Sequence, residues 1–228
     1  TTWTNAPNIP TSGGCSDVDI ASNGVIIATC GNKPWVSTDG AATFVNRGGV
    51  GTGFITTGLS RTEIAIAPSD PNIVYAFCAA SAGSMAGMCV SVDGGQNWTV
   101  VTGAGNAQFD PFGTGQGDYD NVVTVDPSNA GRAIFGGVEL WEWTMSSSNP
   151  PAGTWNRIAL EFPASAFNPW YVHSDKHCIT FHPTNPSIFF VGTDGGIFRT
   201  LNGGSTYQAM NKGYKDRKST RLNSSHRT

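Results

Sequence analysis

Three short acidic segments carry the residue types that do chemistry. GQGDYDN (115–121) holds Asp118 and Asp120, YVHSDKH (171–177) holds His173, Asp175 and His177, and GTDGG (192–196) holds Asp194. Separated carboxylates serve as acid and base in glycosidic cleavage. His173, Asp175 and His177 alternate at period two, so an extended segment points all three to one side, and two imidazoles with a carboxylate suit a divalent ion. The expected roles are therefore Asp118, Asp120 and Asp175 as catalytic carboxylates and His173, His177 and Asp194 as ligand contacts. Trp170 and Tyr171 stand beside them as apolar platforms for sugar rings or peptide side chains. The competing reading is that these Asp and His side chains only cap turns and hydrogen-bond between neighbouring units. No cofactor is required, and a divalent metal is an open alternative.

The elements that must position these residues come from a repeat. Four alternating or apolar runs, DVDIA (17–21), EIAIA (63–67), NVVTV (121–125) and HCITF (177–181), each lead through a turn into a second run: VIIAT, IVYAF, AIFGG and IFFVG. Their β-branched and aromatic content predicts strands, and the turns PSDPN, DPSNAG and HPTNP punctuate them. A third strand then runs into a loop that ends on an aromatic residue. These aromatics, Phe44, Trp98, Trp155 and Tyr207, are 54, 57 and 52 residues apart. Four short strands per unit at even spacing predict an all-β chain, a β-propeller of four-stranded antiparallel blades with about four blades visible. The blades fall near 5–48, 49–104, 105–160 and 161–214, and Trp3 is expected to close an earlier unit. A partial propeller is the expected architecture, and an antiparallel sandwich is the alternative. In a four-stranded blade the segments 115–121, 171–177 and 192–196 all fall at one end, opposite the Pro/Asn turns and the third-to-fourth-strand loops.

Composition agrees. Of 228 residues, 29 are Gly and 13 are Pro, and only 13% are charged, which disfavours a helical bundle. The net charge is −3, but the tail KDRKSTRLNSSHRT (215–228) breaks the repeat and is expected to be non-native; without its five basic residues and Asp216 the charge is −7. An acidic body with no basic stripe leaves no footprint for nucleic acid. No apolar run reaches the roughly 18 residues of a membrane-spanning helix. Among the five cysteines, Cys15 with Cys30 and Cys78 with Cys89 are candidate hairpin disulfides of an oxidising compartment, leaving Cys178 inside an apolar strand. The alternative is five small buried hydrophobes.

The third-to-fourth-strand loops resemble those of the BNR or Asp-box family, whose pattern is Ser-x-Asp-x-Gly-x-Thr-Trp. Ser91, Asp93, Gly95 and Trp98 match it, as do Ser37, Asp39, Thr43 and Phe44, with a third copy at Thr200, Asn202, Gly204, Thr206 and Tyr207; the Trp155 unit keeps only its aromatic end. The short polar side chains of this motif bond their own turn, so they are expected to be structural. QGDYDN, YVHxDxH and Asp194-Gly195-Gly196 with Thr200 are similar to segments of secreted bacterial propellers described as sialidase-like or glycosyl-hydrolase-like. More distantly the chain resembles sortilin-like and xyloglucanase-like propellers. The resemblance covers about 17–214 and implies an extracellular or cell-surface protein whose partner is a polysaccharide, a glycoconjugate or a peptide, with further blades belonging to the same parent chain. Sialidases use an arginine triad, and no such signature stands here, so any enzyme would be another glycoside hydrolase.

Overall fold

The apolar runs do form strands, and the turns between them set a simple meander. The computed structural model describes residues 5–6, 8–10, 13–103, 109–113, 115–161 and 168–213. Trp3 and the tail 215–228 lie outside the described residues. Blade 1 consists of β1 (Cys15–Ile20), β2 (Ile26–Cys30), β3 (Lys33–Ser37) and β4 (Val45–Asn46). Blade 2 consists of β5 (Leu59–Ile66), β6 (Val74–Ala80), β7 (Met85–Ser91) and β8 (Thr99–Gly103). Blade 3 comprises β9 (Val122–Asp126), β10 (Asn129–Gly136), β11 (Leu140–Ser148) and β12 (Pro151–Arg157), and blade 4 comprises β13 (Lys176–His182), β14 (Asn185–Thr193), β15 (Gly196–Thr200) and β16 (Gln208–Ala209). Each is a separate four-stranded antiparallel sheet in sequence order. The first strands β1, β5, β9 and β13 pack successively against one another. The result is an all-β arc of four blades without closure, a partial β-propeller.

Sheet faces pack on sheet faces. Tyr75, Phe77, Met88 and Val90 of blade 2 meet Val123, Val125, Ala133 and Phe135 of blade 3 in one core. The opposite face of blade 2, through Val74, Ala76 and Cys89, meets Ile27 and Val36 of blade 1. With both faces covered, β6 is buried at every position but the last, and full burial of each large side chain contributes roughly 1.5–3 kcal/mol. A third core joins Ile134 and Leu140 of blade 3 to Ile179, Phe189, Val191 and Phe198 of blade 4. The outward faces of the end blades remain exposed, through Val18 and Ile20 on one and Phe190 and Ile197 on the other.

The third-to-fourth-strand loops repeat one hydrogen-bond network. Ser37 donates to Asp39 Oδ1 at 2.8 Å, which also accepts from Thr43 N at 2.9 Å. Ser91 and Asp93 repeat it, with Asn97 N at 2.9 Å. Thr200 donates to Asn202 Oδ1 at 3.0 Å, which accepts from Thr206 N at 2.9 Å. Ser37, Ser91 and Thr200 also accept from Ala41, Gly95 and Gly204 N respectively. Phe44, Trp98 and Tyr207 are all buried. In blade 3 a direct β11–β12 hairpin replaces the loop, and Trp155 packs from within β12 on Phe109, Phe135 and Trp143.

The cysteine expectation is half corrected. Cys15 and Cys30 are bridged, whereas Cys78 and Cys89 are buried free thiols and Cys178 is exposed. The reason is register: Cys78 faces Gly87 and Cys89 faces Ala76, so the two thiols sit diagonally across β6 and β7. A cross-strand bridge needs a directly opposed pair, such as Cys15 with Cys30.

Candidate functional site

Backbone contacts fix which loops share an end of the arc. Asp194 N donates to Asp175 O at 3.2 Å and Lys176 N to Gly137 O at 2.8 Å, which joins the β14–β15 loop, the segment before β13 and the β10–β11 loop. At the other end Gly94 N donates to Asn72 O at 2.9 Å and Gly203 N to Ser187 O at 2.8 Å. The acidic segments therefore lie opposite the Pro/Asn turns, as their positions in the repeat predict.

At the acidic end, Tyr119, His177 and Asp194 form one cluster across blades 3 and 4. The Tyr119 hydroxyl donates to both Asp194 carboxylate oxygens at 3.2 and 3.3 Å, and His177 Nε2 lies 2.8 Å from Asp194 Oδ1. The two rings meet edge to face with centroids 4.9 Å apart. All three side chains reach solvent. The charge of Asp194, and then its hydrogen bond, push the Tyr119 phenol above its usual range. That direction suits a hydrogen-bond donor and not a nucleophile, which needs a lowered pKa.

Buried Asp120 and half-buried Asp175 make a second pair. Asp120 has no exposed surface, and its carboxyl faces that of Asp175 within hydrogen-bond reach. Burial and then the charge of Asp175 push its carboxyl up to about 7. Lys176, also buried, donates from Nζ to Val138 O, and its pKa falls to about 8, first through burial and against the pull of nearby carboxylates including Asp175 and Asp120. Two adjacent carboxyls favour one neutral and one charged form.

The period-two expectation for His173, Asp175 and His177 fails. Asp175 has φ +60°, a left-handed kink, and the strand begins only at Lys176. The kink sends the three side chains to three environments. His173 Nδ1 lies 3.1 Å from Ser174 O, and its ring lies against Gly195, where a Cβ would stand 2.3 Å from the imidazole. Among the described residues no three His, Cys, Asp or Glu side chains converge as a metal site. Asp118 stands apart from Asp120: it is exposed and lines a cavity of about 270 Å³ with Arg61, Ser60, Ser16 and Asn32. Tyr171 packs edge-on against Phe198 at 5.5 Å, and Trp170 lines a different cavity.

Sequence reasoning missed a polar seam between blades 1 and 2. Asp17 Oδ2 accepts from Ile64 N at 2.9 Å and Asp19 Oδ2 from Ile66 N at 2.8 Å, so carboxylates of β1 replace a neighbouring strand for β5. Glu63 is nearby, bonded by Arg61 Nε at 2.8 Å. Burial raises its carboxyl to about 7, with Arg61 opposing and Asp17 adding. The signal was present in DVDIA, where two acids alternate on one side of a first strand.

No family model matches the chain. No curated protein matches it in sequence. Solved structures do match in fold. An ancestral GH74 enzyme is similar with TM-score 0.58 and 20% identity over 88% of this chain and 26% of its own. The GH74 enzyme of Niastella koreensis is similar with TM-score 0.53 and 15% identity, over 86% of this chain and 23% of its own. YCF48 from Cyanidioschyzon merolae gives TM-score 0.54 and 14% identity over 92% and 59%. The chain thus spans about a quarter of the length of these two GH74 enzymes. At these identities the likeness is one of fold. Among the described residues no helix is long and apolar enough to cross a membrane.

Proposed function

We propose that the chain is the blade-bearing part of a secreted or cell-surface propeller that binds carbohydrate or glycoconjugate where Tyr119, His177 and Asp194 meet. The observation that carries this reading is a phenol, an imidazole and a carboxylate, all open to solvent and bonded into one unit across two blades. Sugar hydroxyls both donate and accept, so a fixed carboxylate beside aromatic edges offers them acceptors and an apolar rim. The likeness in fold to GH74 enzymes supports the ligand class, and the loops of Asp39, Asp93 and Asn202 support an Asp-box propeller.

The burial of Asp120 argues against direct hydrolysis by the Asp120–Asp175 pair, because a glycosidase needs roughly 5 Å or more between its carboxyls with the sugar between them. Asp175 instead holds the Asp194 loop through its backbone carbonyl, which accepts from Asp194 N at 3.2 Å. Further blades of the same parent chain are the natural cover for Phe190, which takes the place in blade 4 that Tyr75 occupies in the buried face of blade 2.

A glycan array followed by calorimetry on wild type, Tyr119→Phe and Asp194→Asn tests this reading. Binding weakened about tenfold or more in both variants, with unchanged melting, is the expected result. Equal affinity in all three proteins overturns it, and saturable binding of peptides alone would favour a peptide-binding propeller.

A further inference from the structure

A cavity of about 390 Å³ opens at the junction of blades 3 and 4 and shares no residue with the Tyr119 cluster. Its walls are Glu142 and Asn156, directly opposed on β11 and β12, the indole of Trp170, and Gly203, Gly204 and Ser205. Arg132 Nε donates to Glu142 Oε2 at 2.6 Å, which fixes the carboxylate in the wall. Behind Gly204 lies the Tyr207 phenol, 3.1 Å from where a Cβ on that glycine would stand. Tyr207 is only 7% exposed, and its hydroxyl has no hydrogen-bond partner. A buried hydroxyl left in that state is costly, and a ligand hydroxyl or water passing the bare Gly204 would satisfy it.

Packing does not demand an indole here. Pro169 O accepts from Tyr207 N at 2.7 Å, just as Thr52 O accepts from Trp98 N at 2.7 Å at the junction of blades 1 and 2. The residue after Thr52 is Gly53, at φ +80°, where a Cβ would meet the Trp98 carbonyl oxygen at 1.9 Å. The corresponding loop of blade 4 instead carries Trp170, 41% exposed. A large ring in the wall of this cavity, with a carboxylate, an amide and Ile158 beside it and an unpartnered phenol behind Gly204, has the chemistry of a sugar platform.

We propose that this cavity is a second carbohydrate subsite, which takes one neutral pyranose ring stacked on Trp170 with its hydroxyls on Glu142, Asn156 and Tyr207. Glu142 disfavours acidic sugars through like charge. The ligand class rests on the reading given under Proposed function, but the location does not.

Calorimetry with cellohexaose, and with an oligogalacturonate of equal length, tests the subsite in wild type, Trp170→Ala, Ser205→Phe and Tyr119→Phe. Ser205 is exposed, so the larger ring fills the cavity from the surface without entering a core. Trp170→Ala and Ser205→Phe should each weaken cellohexaose binding about tenfold with unchanged melting, and the oligogalacturonate should bind more weakly than cellohexaose. Wild-type affinity in Trp170→Ala and Ser205→Phe beside a weakened Tyr119→Phe overturns the second subsite and leaves the first. The reverse pattern overturns the first and supports the second. Failure of wild type to bind either sugar overturns both.

Discussion

Asp120 and Asp175 bring two carboxyls together at the junction of blades 3 and 4, where burial, then the charge of Asp175 and a hydrogen bond between the two carboxyls, hold the proton on Asp120. The folded chain keeps the Asp120 proton up to about pH 7, where the unfolded chain has already released it. Its contribution to stability is therefore complete below about pH 4 and is lost as pH rises through about 7. Glu63, also raised to about 7, acts in the same sense. Lys176 works in the opposite sense, but only above about pH 8. Melting midpoints should fall between about pH 5 and pH 7.5, and Asp120→Asn should flatten that slope to the share left by Glu63; parallel slopes would exclude the Asp120–Asp175 pair as its source.

Lys176 is the compensating cation of this acidic junction. Replacing it by Met removes the bond to Val138 O and leaves the charge of Asp175 without its buried neighbour. Leaving the buried Val138 carbonyl without its donor costs about 1–3 kcal/mol. Urea denaturation should register a loss of that order; an unchanged midpoint in Lys176→Met would exclude this bond as a source of stability.

The repeated loops make a sharper claim about Asn202. Its amide Nδ2 donates to Thr206 Oγ1 at 2.9 Å, whereas Thr43 Oγ1 donates to Asp39 Oδ2 at 2.6 Å. The threonine hydroxyl only has to turn round, so Asn202→Asp should change stability by less than about 0.5 kcal/mol. Asp93→Ala, which strands the backbone N–H groups of Gln96 and Asn97, should cost about 1–3 kcal/mol. Thermal melting of the two variants side by side checks the contrast.

Thiol chemistry separates the five cysteines. An alkylating reagent should label Cys178 in the native protein and reach Cys78 and Cys89 only after denaturant, because burial protects both and raises the Cys78 thiol. Reduction of Cys15–Cys30, which are 15 residues apart, should lower stability by about 3 kcal/mol. Mass spectrometry with differential alkylation reads the first, and denaturation with and without reductant reads the second.

Much of this architecture was legible because propeller blades are built from local pattern. The runs from EIAIA to IVYAF and from HCITF to IFFVG gave strands, and the Ser91–Trp98 loop gave the phase of the repeat. What escaped was long-range or depended on a single dihedral. The left-handed kink at Asp175 scattered His173, Asp175 and His177, and nothing in the local alternation announces a positive φ on an aspartate. Cys78 and Cys89 looked like a hairpin pair until register set them on a diagonal. Tyr119, flanked by two aspartates in QGDYDN, is the residue that reaches Asp194, 75 residues away in sequence.

Burial along the arc is graded strand for strand: β5 is mostly buried where β1 is mostly exposed, and β6 is buried at all but its last position where β14 alternates with exposed positions. An interior blade is held by two junctions and a terminal blade by one, so cohesion is distributed as in a short one-dimensional lattice. Blade 2 is then the keystone, and thermal fraying advances inward from both rims before the whole arc gives way.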